Sequence, residues 1–144
     1  MSRNSFRTST GRSVTAVTAD EMRNVDRVAV EDVGLQLIQM MENAGRILAW
    51  HVRDVRDSDV IVVAGNGGNG GGGLTCARHL ANRDIPVQVV LDRPPGELSG
   101  AAAHQSHILD EMNVSVTAGV ESLADADERT TIVDALIGYG LSGD

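Results

Sequence analysis

The 144-residue chain carries 12 basic and 20 acidic side chains, a formal charge of −8, which gives nucleic acid no electrostatic footing as a partner. Its single cysteine, Cys76, excludes an internal disulfide and any multi-cysteine metal site. No apolar run approaches the ~18 residues that a membrane span needs, so no membrane partner is expected.

Every basic residue is arginine. Such an acid-rich, lysine-free composition reads in two ways: as adaptation to the high-salt cytoplasm of a halophilic archaeon, or as GC-biased coding. Residues 1–17 lack the continuous apolar core of a secretory signal and read as a flexible, solvated tail. The remainder, 18–144, is expected to be one soluble, cytoplasmic domain.

Order is expected to begin at Thr18, where T-A-D-E is a capping box: the Thr18 hydroxyl accepts from the Glu21 amide and the Glu21 carboxylate reaches back. Met22, Val25, Ala29 and Val30 then share one helical stripe, which Gly34 interrupts. A second helix is predicted over 35–52. Its apolar residues (Leu35, Leu37, Ile38, Met41, Ala44, Ile47, Leu48) nearly encircle it, as in a helix covered on several sides, and Trp50 is read as core or interface.

After the polar break at 53–59, V-I-V-V-A-G reads as a buried strand. A helix over 73–82, a strand over 85–91 and a Pro-stopped loop through Pro94 and Pro95 follow. Then come a helix over 99–112, a brief strand V-S-V, a short helix or turn, and a strand T-T-I-V-D-A-L-I-G. This alternation predicts an α/β fold, a three-layer α/β/α Rossmann-like sandwich with a mainly parallel sheet preceded by two helices.

The segment G-N-G-G-N-G-G-G-G places seven glycines in nine positions, 65–73, between the first predicted strand and a helix. Each glycine is entropically unfavourable in ordered structure, so the run needs a reason. A turn that merely lets a helix pack close to a strand would need two or three. A site where bare amides meet an anion at a helix N-terminus would use more. A P-loop is excluded because the chain has no lysine. Gly65 to Gly70 satisfies G-x-G-x-x-G, and Asp92 ends the next strand about 20 residues on, where a ribose-binding acid sits in dinucleotide folds. A run this rich in glycine satisfies many glycine patterns, so that match alone is weak.

Three ordered motifs together are more specific. The glycine segment with its helix ending A-R-H-L (Ala77–Leu80) resembles the loop G-P-G-N-N-G-G-D-G-L of the YjeF N-terminal family, the NAD(P)H-hydrate epimerases. It agrees at Gly65, Gly67, Asn69, Gly70, Gly71, Gly73 and Leu74. M-E-N-A-G-R (Met41–Arg46), preceded by Glu21, Met22, Arg23 and Asp26, and V-D-A-L-I-G-Y-G-L-S-G-D (Val133–Asp144) are similar to two further family segments in the same order. Departures fall at Asn66 (usually proline), Gly68 (asparagine), Gly72 (aspartate) and Tyr139 (threonine).

The resemblance implies epimerisation of the R and S forms of hydrated NADH or NADPH (NADHX, NADPHX) in nicotinamide nucleotide repair. It implies substrate contacts at Gly68, Asn69, Gly70, Gly71 and Gly72 and at Gly138, Tyr139, Gly140, Leu141, Ser142, Gly143 and Asp144, with potassium held by Asn69 and Asp134. It further implies a homodimer working with an NAD(P)HX dehydratase. Family domains run on past the position of Asp144, and the catalytic acid is expected there, which makes the domain incomplete at its C-terminus. Tyr139 is read either as stacking on a ring or as covering its loop.

Two other readings stay open: a non-catalytic nucleotide-binding or dimerisation module, and an NAD-dependent oxidoreductase using Asp92. Cys76 is read as a buried small apolar residue, His79 as a packing residue, and His104 and His107 (i, i+3) as a solvated helix face rather than a metal pair. Glu42 and Asn43 are read either as part of the site or as polar residues capping the sheet edge.

Overall fold

A computed structural model describes residues 5–124 and 126–138. Two compact units divide the chain, Met1–Gln36 and Leu37–Asp144. In the first unit, β1 (Ser5–Arg7) and β2 (Ser13–Thr15) pair antiparallel with Ser5 opposite Thr15. The turn between them closes through the Gly11 amide on the Thr8 carbonyl (2.8 Å) and the Arg12 amide on the Thr8 hydroxyl (3.0 Å). A short hairpin therefore stands where composition reads as featureless tail. Every residue of both strands is exposed, as a solvated segment should be. Strands of three residues, each with a single apolar side chain (Phe6, Val14) that stays exposed, are too short to leave a periodic signal in the sequence.

Helix α1 (Ala19–Arg27) starts as expected. The Glu21 amide donates to the Thr18 hydroxyl at 3.2 Å, and the Thr18 amide donates to the Glu21 carboxylate at 2.8 Å. The chain continues through a wider π-type turn (Val28–Asp32), and Gly34 ends it with φ of +84°, a left-handed conformation that side chains resist.

The second unit holds the α/β fold. Helix α2 (Leu37–Val55) buries one stripe, Met41, Gly45, Ala49 and Val52, against the helix that follows the glycine segment. A β-carbon at Gly45 would lie 2.5 Å from Thr75 Cβ and 2.8 Å from the Gly72 carbonyl, so glycine sets how closely the two helices approach. The expectation of cover on several sides is corrected: Leu37, Ile38, Ile47, Leu48 and Trp50 are exposed. Trp50 leans on His51 (ring centroids 5.1 Å apart) and lies outside the core. An apolar residue on a helix reports affinity for cover, not the presence of it.

The sheet contains β3 (Val60–Ala64), β4 (Val87–Leu91), β5 (Ser115–Ala118) and β6 (Thr131–Ala135) in the order β5-β4-β3-β6, all parallel. Helices α3 (Gly68–Ala81) and α4 (Gly100–Glu111) provide the crossovers from β3 to β4 and from β4 to β5. Val62, Ala64, Val89, Leu91, Val133 and Ala135 face Leu74, Ala77, Leu80, Ala102 and Leu109 in one core. Those two crossovers step one way along the sheet, and β6 then returns to the other flank of β3. The order reverses between β3 and β6. Doubly wound folds place their ligand crevice at the carboxyl ends of two such strands.

Helix α3 begins at Gly68, five residues before the predicted start at Gly73. Glycine in a helix is about 1 kcal/mol worse than alanine, and five of the first six residues of α3 are glycine, so local preference argues for a loop there. Packing overrides it. A β-carbon at Gly70 would fall on the Gly65 carbonyl, and one at Gly73 would meet Ala135 Cβ and approach Val62 Cγ1 to 3.2 Å. Only a helix start stripped of side chains can lie this close to β3 and β6.

Candidate functional site

The glycine segment resolves into three groups. At Gly65, Gly70 and Gly73 a β-carbon would strike backbone or sheet side chains, so close packing demands glycine. At Gly71 it would meet the Met41 side chain, with Sδ at 2.8 Å. Gly67 and Gly72 have nothing within 4 Å, and Gly68 has only Met41 Cε at 3.9 Å. Packing thus accounts for Gly65, Gly70, Gly71 and Gly73, and leaves Gly67, Gly68 and Gly72 facing open space.

These open positions surround the start of α3. Its N-cap, Gly67, has no side chain to cap with, and the first intrahelical bond runs from the Gly71 amide to the Gly67 carbonyl (3.0 Å). The Gly68, Asn69 and Gly70 amides therefore precede the helical ladder and point along the positive end of the helix dipole. The resemblance also implies substrate contacts at Gly71 and Gly72. They lie within the helical ladder, so their amides are bonded internally.

Two asparagines tether this segment to its neighbours. Asn66 Oδ1 accepts the Ser99 amide at 2.7 Å, and Asn66 Nδ2 donates to Ser99 Oγ at 3.1 Å. Asn69 Nδ2 donates to the Ile137 carbonyl at 2.8 Å, with Gly138 packed beside its amide group. Asp134, at the exposed penultimate position of β6, accepts the Leu136 amide on Oδ1 at 3.0 Å. Asn69 and Asp134 are thus brought to the same turn, 136–138, from opposite sides of the order reversal. Tyr139, Gly140, Leu141, Ser142, Gly143 and Asp144 lie outside the described residues.

Asp92 follows β4 at the crevice rim, but both of its oxygens are engaged by the Arg93 guanidinium (2.9 and 2.8 Å). Those hydrogen bonds hold its carboxyl below the usual range, against a smaller opposing effect of burial. Cys76 is fully buried, and burial pushes its thiol up to about 12, consistent with an inert apolar residue. His104 and His107 are exposed, and no group of three or more His, Cys, Asp or Glu among the described residues is placed to hold a metal.

At the other end of α3, Glu42 of α2 bridges Arg78 and His79 in its last turn, the latter at 2.6 Å from Nε2 to Oε1. Burial opposes ionisation of Glu42, but the hydrogen bonds from Arg78 and His79 outweigh it and hold the carboxyl below its ordinary 4.5. His79 is thereby a partnered packing residue, as expected. A depressed carboxyl stabilises the fold above its ordinary value, and that contribution is lost as pH falls through the depressed one. Glu42→Gln should lower the unfolding midpoint by a few degrees at pH 7, no more than about 1 kcal/mol for so exposed a carboxylate. Thermal melts of the two proteins should converge on acidification below 4.5.

The Asn66–Ser99 pair escaped the sequence reading, because nothing in one sequence couples positions 33 residues apart. Its only trace was asparagine where a glycine-loop proline is usual.

A family model described as YjeF-related protein N-terminus matches residues 37–144. The chain is 39% identical to the NAD(P)H-hydrate epimerase of Dehalogenimonas lykanthroporepellens, covering 96% of this chain and 57% of that protein. It is 37% identical to the bifunctional NAD(P)H-hydrate repair enzyme Nnr of Salinibacter ruber, covering 89% of this chain and 27% of that one. The crystal structure of the yeast protein ynu0, YNL200c, matches with a TM-score of 0.79 at 27% identity, over 91% of this chain and 60% of that one. The chain thus spans little more than half the length of the first of these relatives.

Proposed function

This chain belongs to the YjeF-related protein N-terminus family, and on that premise we propose that it acts in nicotinamide nucleotide repair, interconverting the R and S epimers of NADHX or NADPHX. The observation that carries the reading is the uncapped, glycine-built start of α3 at the order reversal, tied by Asn69 to the turn after β6. The Gly68, Asn69 and Gly70 amides suit the diphosphate of the dinucleotide. Gly72 and Gly138 offer side-chain-free surface against which it can lie.

Epimerisation requires the C6 hydroxyl of the hydrated ring to depart and return on the other face, with a positioned acid/base group moving the proton. The chain's part in this is to hold the dinucleotide still, since orientation supplies much of the rate.

Potassium fits the donors on offer. Asn69 uses its nitrogen on Ile137, which leaves Oδ1 to coordinate, and Asp134 uses Oδ1 on Leu136, which leaves Oδ2. Both are hard oxygen ligands suited to an alkali cation. Bound there, the ion would supply positive charge at the crevice rim. The remaining parts of the reading are a cytoplasmic homodimer, for which Leu37, Ile47 and Trp50 provide exposed apolar surface, and joint action with an NAD(P)HX dehydratase. No helix among the described residues is long and apolar enough to cross a membrane.

One observation favours a binding module instead. Space at Gly72 is open, so nothing steric forbids the aspartate usual at that position, and its loss is not a packing requirement. An assay separates the two. R-NADHX is incubated with the full-length protein and an S-specific dehydratase, with and without potassium chloride. Potassium-dependent acceleration of R-form consumption is the expected result. Dinucleotide binding without acceleration would support the module.

A further inference from the structure

We infer that Asn66 is a positioning residue, a side-chain latch that locks the β3–α3 loop to the loop before α4 and so pre-sets the amides at the start of α3; this rests on the dinucleotide reading above. Backbone bonds hold the loop at Gly65 and at the Gly67 carbonyl, but between them Asn66 is the only residue whose side chain ties it to another element. Gly67 and Gly68 touch little, and glycine backbones lose more conformational freedom on ordering than any other. A binding site that must order such a loop on each encounter loses affinity to that entropy, and one already ordered does not.

The anchor is built for the purpose. Ser99 stands at the N-cap of α4, where a serine hydroxyl ordinarily accepts an amide of its own helix, yet it makes no such bond. Its hydroxyl and its amide both turn to Asn66, at 3.1 and 2.7 Å. Gly100, immediately after it, has φ of +56°, a left-handed kink at the first residue of the helix. Leu98, immediately before it, is buried in the core and holds the anchor in place. A helix cap has been diverted to restrain the loop.

The test is Asn66→Ala in the full-length protein, with Asn66→Asp and Ser99→Ala beside it. Asn66→Ala should raise KM for R-NADHX about fivefold with a smaller change in kcat, the scale of a neutral hydrogen-bonded pair. Hydrogen exchange at Gly71, the first bonded amide of α3, should accelerate by a similar factor. The unfolding midpoint should barely move, because the freed Ser99 hydroxyl can cap α4. Asn66→Asp, which can accept from both the Ser99 amide and its hydroxyl, should return Gly71 exchange to the wild-type rate. Ser99→Ala, which loses only the hydroxyl contact, should fall between. Unchanged Gly71 exchange in Asn66→Ala, or a lowered midpoint with unchanged KM, would overturn the latch. Should the wild-type protein neither bind nor epimerise the dinucleotide, the functional reading fails, and the exchange measurements still decide the latch.

Discussion

Gly70→Ala is expected to destabilise the second unit by at least about 3 kcal/mol, the upper range for overpacking and a large fraction of a domain's stability. The added methyl would occupy the position of the Gly65 carbonyl. Neither side can yield. Gly65 closes the central strand and donates its amide to Ala135 (3.2 Å), while α3 is held against α2, α4 and the sheet. Flexible side chains absorb a misplaced carbon; paired backbone does not. Gly72→Ala, two residues on in the same helix, meets nothing within 4 Å and should stabilise by about 0.5–1 kcal/mol through helix propensity alone. Urea denaturation of the two variants would check the contrast. A Gly70→Ala protein as stable as wild type would mean that helix and strand are farther apart than described.

The largest functional effect is expected at Asp134. Asparagine there keeps an Oδ1 to accept the Leu136 amide, so the turn survives and only the charge is removed. Asp134→Asn should therefore keep its unfolding midpoint within a degree or two yet lose about 100-fold in epimerisation, the scale of removing one positioned electrostatic group. Its response to potassium should flatten. Asn69→Ala removes both the oxygen proposed to coordinate potassium and the tether to Ile137, and should lose activity comparably while also loosening the turn. The coupled R-NADHX assay over a potassium chloride series measures both. Wild-type rate and wild-type potassium response in Asp134→Asn would remove Asp134 from the cation's ligands.

Much of this was legible in the chain because it rests on local or periodic patterns. The Thr18–Glu21 capping box is contained in four residues and formed as expected. The short β-branched run at 60–64 reads as a buried strand, and the alternation of strands and helices after it implies parallel pairing, as found. What was not legible depends on approach between distant segments. The start of α3 was placed late because glycine's helix propensity speaks against a helix. The reason to override it, the carbonyl of Gly65 and the side chain of Ala135, lies in strands with which only the fold brings it together. The cover on α2 was overestimated for the converse reason: hydrophobicity is a local property, whereas burial is not. At the site, the family resemblance implied roles for Asn69 and Asp134, but it gave neither their shared grip on one turn nor the pairing of Asn66 with Ser99.

Both loop tethers carry a chemical liability. Asn66 and Asn69 are each followed by glycine, the neighbour least able to shield a side-chain amide from attack by the next backbone nitrogen, and asparagine is among the thermolabile residues. Release of ammonia from Asn69 would leave two oxygens facing the Ile137 carbonyl, with no hydrogen to offer it. At Asn66 the exchange is milder, since Ser99 has a hydroxyl that can turn and donate. Loss of these amides would therefore act unevenly: the fastening at Asn69 fails outright while the one at Asn66 re-forms.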